Sequence, residues 1–121
     1  RLLLVEDNDI NREIAVALLH ELDIVVAVAE DGRRAIEMLH ADDYDGVLMD
    51  CQMPTMDGYE ATREIRTQAR WQRLPVVAMT ANAMAGDREL ALAAGMNDHI
   101  SKPIELQELH TKLARWFGRR A

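Results

Sequence analysis

Polar side chains that could do chemistry stand directly after several apolar runs of this 121-residue sequence. Glu6 and Asp7 follow the first run, Asp50 follows the third, Thr80 follows the fourth, and Lys102 comes just after the fifth. If these runs are parallel strands of one sheet, their carboxyl ends meet at the same edge. The sequence then predicts that three carboxylates, a hydroxyl and an ammonium group converge on one site.

Such a group of side chains suits a metal-assisted reaction. Three clustered carboxylates repel one another, and a divalent cation is one way to hold them together. Mg²⁺ prefers oxygen ligands in octahedral geometry and keeps several waters, which phosphate oxygens could replace. Asp7 and Asp50 could bind the metal directly, and Glu6 either directly or through a water. With Lys102 and Thr80 alongside, the set suits phosphoryl transfer, in which positioning and charge neutralisation do most of the catalysis.

The nucleophile of this site would be a carboxylate. No serine or cysteine is expected to face the cluster with a base beside it. Cys51 directly follows Asp50, so the alternation of side chains along a strand turns it to the other face of the sheet. We interpret Cys51 as a packed small residue.

The elements that would position these groups follow from the hydrophobic periodicity, which alternates between strand and helix five times. The predicted strands are Leu2–Val5, Ile24–Val28, Val47–Met49, Val76–Met79 and His99–Ile100. The first predicted helix carries the apolar row Ile10, Ile14, Leu18 and Leu22, and the second begins after Asp31-Gly32 with Ala35, Met38 and Leu39 facing inward. The third is capped by Asp57 and carries Ala61 and Ile65, and the fourth runs from near Asp87 to Gly95. The fifth follows Pro103, with Leu106, Leu109, Leu113 and Phe117 facing inward. This alternation predicts an α/β fold, a doubly wound five-stranded parallel sheet covered by helices on both faces.

Length, charge and composition limit what the chain can be. We expect one domain over residues 1–121, and Arg1 at the very start of a strand suggests a piece of a longer protein. The formal net charge of -7 argues against direct binding of nucleic acid, and no apolar stretch approaches the roughly 20 residues of a membrane span. A basic run at helical spacing, which we interpret as a solvated face, consists of Arg63, Arg66, Arg70 and Arg73.

The polar residues lie within motifs that resemble the receiver domains of bacterial response regulators. The motifs, in order and with matching spacing, are Leu4–Asn8, Leu48–Pro54, Met56–Gly58, Thr80–Ala81 and Lys102–Pro103. The resemblance implies a flavodoxin-like (βα)5 fold with strand order 2-1-3-4-5. A closer resemblance, to receivers attached to hybrid sensor histidine kinases, is carried by Met49–Pro54, Asp57–Arg63, Thr80–Met84 and Gly95–His99. One departure is Asp23, which stands where the family commonly has a glycine turn.

The resemblance implies a phosphoacceptor and a metal site. Asp50 would accept the phosphoryl group from a phosphohistidine of a partner. The domain would then be a switch with self-phosphorylation and autodephosphorylation, within a parent chain that is a histidine kinase. Mg²⁺ would be bound by Glu6, Asp7, Asp50 and the backbone carbonyl of Gln52, and Gln52 would also tune dephosphorylation.

Further roles implied by the resemblance concern the phosphoryl group and the switch. The phosphoryl oxygens would be held by Thr80, the amide of Ala81 and Lys102. Thr80 and His99 would form the conformational switch. Asn82, two residues after the threonine, would tune dephosphorylation together with Gln52, two residues after the phosphoacceptor.

The implied partners are a histidine kinase core, a histidine phosphotransfer domain, or both. They would bind a surface formed by the fourth helix, the fifth strand and the fifth helix, which could also support a weak dimer. We expect a cytoplasmic domain without membrane contact of its own, in a parent kinase that could be anchored in the inner membrane. Three alternatives stay open: a free-standing response regulator, a magnesium-dependent phosphatase-like hydrolase, and a structural pseudo-receiver. Gln52 argues against the hydrolase, because a second aspartate would usually stand there.

Overall fold

The computed structural model of the protein describes residues 1–50, 58–80, 85–101 and 104–117, and at positions 85–88, 101 and 117 the backbone alone. Its strands are β1 Leu2–Val5, β2 Val26–Ala29, β3 Gly46–Asp50, β4 Val76–Thr80 and β5 Asp98–Ser101. They form one parallel sheet in the order β2-β1-β3-β4-β5. The predicted fold class and strand order are confirmed.

Within the described ranges, five α-helices follow the strands: α1 Asp9–Glu21, α2 Gly32–Ala41, α3 Gly58–Arg66, α4 Ala85–Ala94 and α5 Leu106–Phe117. The side chain of Asn8 caps α1 by accepting a hydrogen bond from the amide of Asn11 at 3.0 Å, and Asp31 caps α2 in the same way at 2.8 Å. These caps satisfy amides that have no partner inside the helix. Asp57 and Pro103, predicted near the starts of α3 and α5, lie outside the described residues. None of the described helices has the length and apolarity that crossing a membrane requires.

The sheet separates two apolar layers, because side chains alternate along each strand. Leu3 and Val5 of β1 face the layer covered by α2, α3 and α4, whereas Leu2 and Leu4 face the layer covered by α1 and α5. Every residue of β1, β3 and β4 is buried, as expected for strands covered on both faces. Burying one leucine side chain contributes about 1.5–3 kcal/mol. This burial keeps the central strands in register, so their carboxyl ends stay level.

The apolar row of α1 faces the core only in part. Ile10 and Ile14 are 68% and 48% exposed, Leu18 and Leu22 are half-buried, and Leu19 is fully buried. Four residues of an α-helix turn through about 400°, so a row at fourfold spacing drifts around the helix by about 40° per step. The row therefore begins on the solvent side, beside the strand ends, and reaches the core only near the end of the helix.

Two residues that follow helices adopt the left-handed conformation. Asp23, after α1, has a φ of 60° and donates its amide to the carbonyl of His20 at 3.0 Å. Gly95, after α4, has a φ of 105° and ends that helix as predicted. Aspartate tolerates this region better than most residues with a side chain. That tolerance explains how Asp23 can replace the glycine common at this turn.

The prediction that the whole basic run is a solvated face is wrong for Arg66. Its guanidinium donates to the carbonyls of Gly95 at 2.9 Å, Trp71 at 2.7 Å and Leu74 at 2.7 Å, and to the Oδ1 of Asn97 at 3.0 Å. Burial lowers the pKa of Arg66 from its usual value. The planar guanidinium has five donors, enough to satisfy several carbonyls at once. The remaining members of the run are exposed, as predicted: Arg63, Arg70 and Arg73.

Candidate metal and phosphoryl site

The three carboxylates predicted to converge do so at the carboxyl ends of β1 and β3. These strands are neighbours, and the pairing of Val5 with Met49 places Glu6 level with Asp50. One oxygen from each of Glu6, Asp7 and Asp50 lies within 4.8 Å of the others, and we call these three residues the acidic cluster. Glu6 and Asp50 are 1% and 3% exposed, whereas Asp7 is open to solvent. Two members of the cluster are therefore buried, and the third is accessible to solvent.

Backbone hydrogen bonds fix the loop that carries Glu6 and Asp7. The amide of Glu6 donates to the carbonyl of Ala29 at 3.1 Å, which extends the β1–β2 pairing by one residue. The amide of Asn8 donates to the Oε2 of Glu6 at 3.3 Å, while the Asn8 side chain caps α1. Nη1 of Arg12 donates to the backbone carbonyl of Glu6 at 3.0 Å. The chain thus passes directly from strand to helix, with both carboxylates at the edge of the sheet.

The start of α3 packs tightly against the end of β3 through Gly58. A Cβ atom added at Gly58 would lie 2.3 Å from the backbone oxygen of Asp50 and 2.9 Å from Cγ of Met49. These separations are far shorter than van der Waals contact, so a glycine is needed for this close approach. The glycine that ends this motif is thereby explained by packing against the strand that carries Asp50.

The chemistry of the acidic cluster fits Mg²⁺. Its carboxylates offer hard oxygen ligands, which Mg²⁺ takes, and a divalent charge would offset their mutual repulsion. The exposed side at Asp7 leaves space for the waters that Mg²⁺ retains. In the described part of the chain the cluster includes no histidine or cysteine, the ligands that zinc would favour.

Thr80 and His99 lie on neighbouring strands and on the same face of the sheet. His99 pairs with Ala78, two residues before Thr80, and paired residues of parallel strands point the same way. Thr80 is 2% exposed. Its Oγ1 and the Nδ1 of His99 are buried without a hydrogen-bond partner among the described residues. Buried polar atoms of this kind are uncommon and mark positions where a partner can be gained.

Several residues assigned to the site from the sequence lie outside the described residues, and their roles stay predictions: Gln52, Ala81, Asn82 and Lys102. Cys51 lies outside them as well. Of the predicted set, the structure thus brings together the acidic cluster at the ends of β1 and β3. Thr80 lies at the end of β4, on the other side of β3.

A polar network around Asp98 was missed in the sequence. The carboxylate of Asp98 accepts hydrogen bonds from Nζ of Lys112 at 2.8 Å, Nε1 of Trp116 at 3.0 Å and the amide of His99 at 2.8 Å. It also lies 3.7 Å from Nδ1 of His99. Burial alone would raise the pKa of Asp98, but these hydrogen bonds outweigh it, so the pKa lies below its ordinary value. The available signal was the fourfold spacing of Lys112 and Trp116, which puts both on one face of a helix.

The sequence profile of the family described as "Response regulator receiver domain" matches residues 2–114. The chain belongs to this family, as its strand order and the position of its acidic cluster also indicate.

Curated relatives are sensor kinases that are much longer than this chain. The signal transduction histidine-protein kinase BarA of Escherichia coli K12 is 42% identical over 112 residues, which are 93% of this chain and 12% of BarA. The sensor protein GacS of Pseudomonas syringae pv. syringae is 38% identical over 121 residues, which are 98% of this chain and 13% of GacS. The chain therefore spans about an eighth of these relatives.

Solved structures share the fold over nearly the whole chain. The receiver domain of the sensor histidine kinase PA1611 from Pseudomonas aeruginosa PAO1 has a TM-score of 0.90 and 47% identity, covering 98% of this chain and 97% of that one. Its structure contains a magnesium ion in the active-site cleft. A chain of the Saccharomyces cerevisiae complex between the phosphotransfer protein Ypd1 and the receiver domain of Ssk1 has a TM-score of 0.88 and 30% identity, covering 96% of this chain and 87% of that one.

Proposed function

We propose that this chain accepts a phosphoryl group from a phosphohistidine onto Asp50 in a reaction that needs Mg²⁺, and then changes conformation to pass on a signal. The observation that carries the proposal is the acidic cluster at the ends of two neighbouring strands, with two of its carboxylates buried. Mg²⁺, held by Glu6, Asp7, Asp50 and the carbonyl of Gln52, would neutralise the cluster and the incoming phosphoryl oxygens. The magnesium ion in the PA1611 receiver supports this choice of metal.

The place of Asp50 in the sheet supports its role as the nucleophile. β3 lies between β1 and β4, so Asp50 has Glu6 and Asp7 on one side and Thr80 on the other. A phosphoryl group on Asp50 would therefore lie between the metal ligands at the end of β1 and the hydroxyl of Thr80 at the end of β4. Glu6 and Asp7 both stand at the end of β1, one strand further from Thr80.

In the proposed step, a carboxylate oxygen of Asp50 attacks the phosphorus of the phosphohistidine. A new O–P bond forms, the P–N bond breaks, and the leaving imidazole keeps the electron pair and takes a proton from solvent. Thr80 would donate its hydroxyl hydrogen to one phosphoryl oxygen, and the amide of Ala81 and Nζ of Lys102 would bind others. Oγ1 of Thr80 is buried and has no hydrogen-bond partner among the described residues. This supports the role, because a buried hydroxyl gains stability from an acceptor.

The proposed output is a population shift between two conformers. On phosphorylation Thr80 would turn towards the phosphoryl group, and His99 would enter the space that Thr80 leaves. The placement of both side chains on one face of adjacent strands supports this coupling. Gln52 and Asn82 would set the lifetime of the acyl phosphate.

A phosphohistidine donor has to reach the sheet edge that carries the acidic cluster. Ile10 and Ile14, exposed on the first turns of α1, lie beside that edge. The surface of α4, β5 and α5, where partners are predicted from the family, exposes Leu90, Leu92 and Leu106. We assign donor binding to the α1 surface and read-out of the switch to the α4–β5–α5 surface, because the former borders the reacting carboxylates.

Paired variants test this assignment. Ile10→Ser with Ile14→Ser should slow transfer from a phosphorylated histidine phosphotransfer domain about tenfold, a loss of about 1.4 kcal/mol, and leave labelling by acetyl phosphate unchanged. Leu90→Ser with Leu92→Ser is the matched control on α4 and should leave both reactions unchanged. Slower transfer in the α4 variant alone would assign donor binding to α4 instead.

We place the domain in the cytoplasm, as part of a hybrid sensor histidine kinase. BarA and GacS are sensor kinases in which a stretch similar to this chain makes up about an eighth of the length, which supports this. The phosphoryl group would then pass to a phosphotransfer protein of the kind bound in the Ssk1 complex. A free-standing response regulator is the alternative. The gene sequence on either side of the chain decides between them.

Labelling with a small phosphodonor tests the central claim. With acetyl phosphate and Mg²⁺, intact-protein mass spectrometry should show one added phosphoryl group, and Asp50→Asn should show none. Full labelling of the Asn variant would contradict the assignment of Asp50. Steady turnover of a generic phosphomonoester by the wild type would instead support a hydrolase.

A further inference from the structure

Arg12 makes two hydrogen bonds that tie the end of β1 to the first turn of α1. Its Nη1 donates to the backbone carbonyl of Glu6 at 3.0 Å, and its Nη2 donates to the carboxylate of Asp9. The Arg12 side chain is only 19% exposed, although its partner Asp9 is 84% exposed. Arg12 therefore packs against the protein and reaches back across the loop that contains Asp7 and Asn8.

The bond to the Glu6 carbonyl has a direct effect on the acidic cluster. That carbonyl belongs to the Glu6–Asp7 peptide, which is planar, so holding its oxygen restricts the orientation of the whole peptide unit. The direction of the Asp7 side chain follows from that orientation. Because Asp7 is open to solvent, packing does little to fix it. The backbone of the loop is then what aims this carboxylate at the site.

The positive charge of Arg12 acts in the opposite direction. A cation near carboxylates weakens the binding of a second cation by repulsion. Removing Arg12 would therefore tighten Mg²⁺ binding if its charge mattered most, and would weaken Mg²⁺ binding if its hydrogen bonds mattered most. The sign of the change distinguishes the two effects.

We infer that Arg12 is a positioning residue for the metal site: its fork fixes the Glu6–Asp7 peptide so that both carboxylates converge on Mg²⁺. The inference rests on the proposed role of the acidic cluster. Residues that orient metal ligands without touching the metal commonly contribute about 10- to 100-fold in metal affinity. Since Arg12 acts on one peptide unit, we expect the low end of that range.

Calorimetric titration with Mg²⁺ alone tests the inference on four proteins: the wild type, Arg12→Lys, Arg12→Met and Arg34→Met. Lysine keeps the charge but cannot donate to the carbonyl and to Asp9 with a planar fork. Arg34 is the matched control, because it also pairs with a carboxylate at i,i+3, namely Glu37 at 3.2 Å, but on an exposed face of α2. Both Arg12 variants should bind Mg²⁺ about tenfold more weakly, and Arg34→Met should bind like the wild type.

A second measurement separates positioning from general damage. The Mg²⁺ concentration that half-saturates labelling by acetyl phosphate should rise about tenfold in the Arg12 variants, while the rate at saturating Mg²⁺ stays within about twofold of the wild type. Wild-type affinity in Arg12→Lys, or tighter binding in Arg12→Met, would overturn the inference. If Arg12→Met does not fold, Arg12→Lys alone decides. Absence of Mg²⁺ binding by the wild type would refute the proposed metal site itself, which is a distinguishable outcome.

Discussion

The carboxylate of Asp98 accepts a hydrogen bond from Nζ of Lys112 at 2.8 Å, across the contact between β5 and α5. Both side chains are largely buried, at 11% and 20% exposure. The indole of Trp116 donates to the other oxygen of the same carboxylate. Two donors from one helix therefore attach α5 to the strand that also carries His99.

This network predicts a specific dependence of stability on pH. Because the pKa of Asp98 is lower in the folded protein than in the unfolded chain, the charged carboxylate stabilises the fold above about pH 3.9, the unfolded value. That contribution is lost as the pH falls through the folded pKa. Asp98→Asn should therefore lower the free energy of unfolding by about 2 kcal/mol at pH 7, and the difference from wild type should shrink below about pH 4. Thermal melts between pH 7 and pH 3 measure this.

The control for Asp98 is Asp42→Asn. Hydrogen bonding to Arg1 also lowers the pKa of Asp42, but both side chains are about half exposed. Exposed pairs contribute little to stability, so this variant should follow the wild type at every pH. A constant difference between Asp98→Asn and wild type down to pH 3 would show that the carboxylate charge is not what stabilises this contact.

Arg66 should be important for stability although it lies in a run of surface arginines. Arg66→Met would leave the carbonyls of Gly95, Trp71 and Leu74 without these donors, and we expect a loss of about 2–4 kcal/mol in the free energy of unfolding. Arg63→Met, one turn earlier on the exposed face, should stay within about 0.5 kcal/mol of wild type. Urea denaturation measures both. Equal stability of the two variants would contradict the observed set of hydrogen bonds.

Asp50→Asn should stabilise the metal-free protein. Folding brings three carboxylates together at a partly buried site, and removing one charge relieves their repulsion. Mg²⁺ should stabilise the wild type by about 1.4 kcal/mol when its concentration is tenfold above Kd, and should stabilise the variant less. Melts of both proteins with and without Mg²⁺, at fixed ionic strength, test this. A metal-free variant that is less stable than wild type and responds undiminished to Mg²⁺ would show that Asp50 is not part of a strained acidic metal site.

Lys102→Ala should separate metal binding from phosphorylation. A lysine can neutralise a phosphoryl group, but its ammonium group is not a ligand for Mg²⁺. The variant should therefore bind Mg²⁺ with nearly wild-type affinity, as measured by calorimetry, and should be labelled by acetyl phosphate much more slowly. Loss of Mg²⁺ binding in this variant would show that the assigned roles are wrong.

The acidic cluster could be predicted because it depends on topology alone. Once the runs ending before Glu6 and Asp50 are parallel strands of one sheet, their ends must meet. The pairing of Val5 with Met49 adds only the register, which sets how far along the sheet the two strand ends meet. The core was predictable for the same reason, since continuous apolar strands have to be covered on both faces.

Features that depend on which way a helix is turned were harder to predict. Arg63 and Arg66 are three residues apart, yet Arg66 is half-buried and hydrogen-bonded to backbone carbonyls, whereas Arg63 is exposed to solvent. Charge spacing does not show which side of a short helix meets the ends of other elements. Ile10 and Ile14 show the converse case: apolar residues at helical spacing can remain exposed when the row drifts around the helix.

The two tryptophans of the chain lie in different layers of the sandwich. Trp71 is 6% exposed in the layer of α2, α3 and α4, and half-buried Trp116 lies in the layer of α1 and α5, where it donates to Asp98. Each layer therefore carries its own intrinsic fluorophore. With Trp71→Phe, the remaining emission would report on α5 alone, and with Trp116→Phe it would report on the opposite layer. Comparing the two emissions during phosphorylation would show which layer moves first, without any added label.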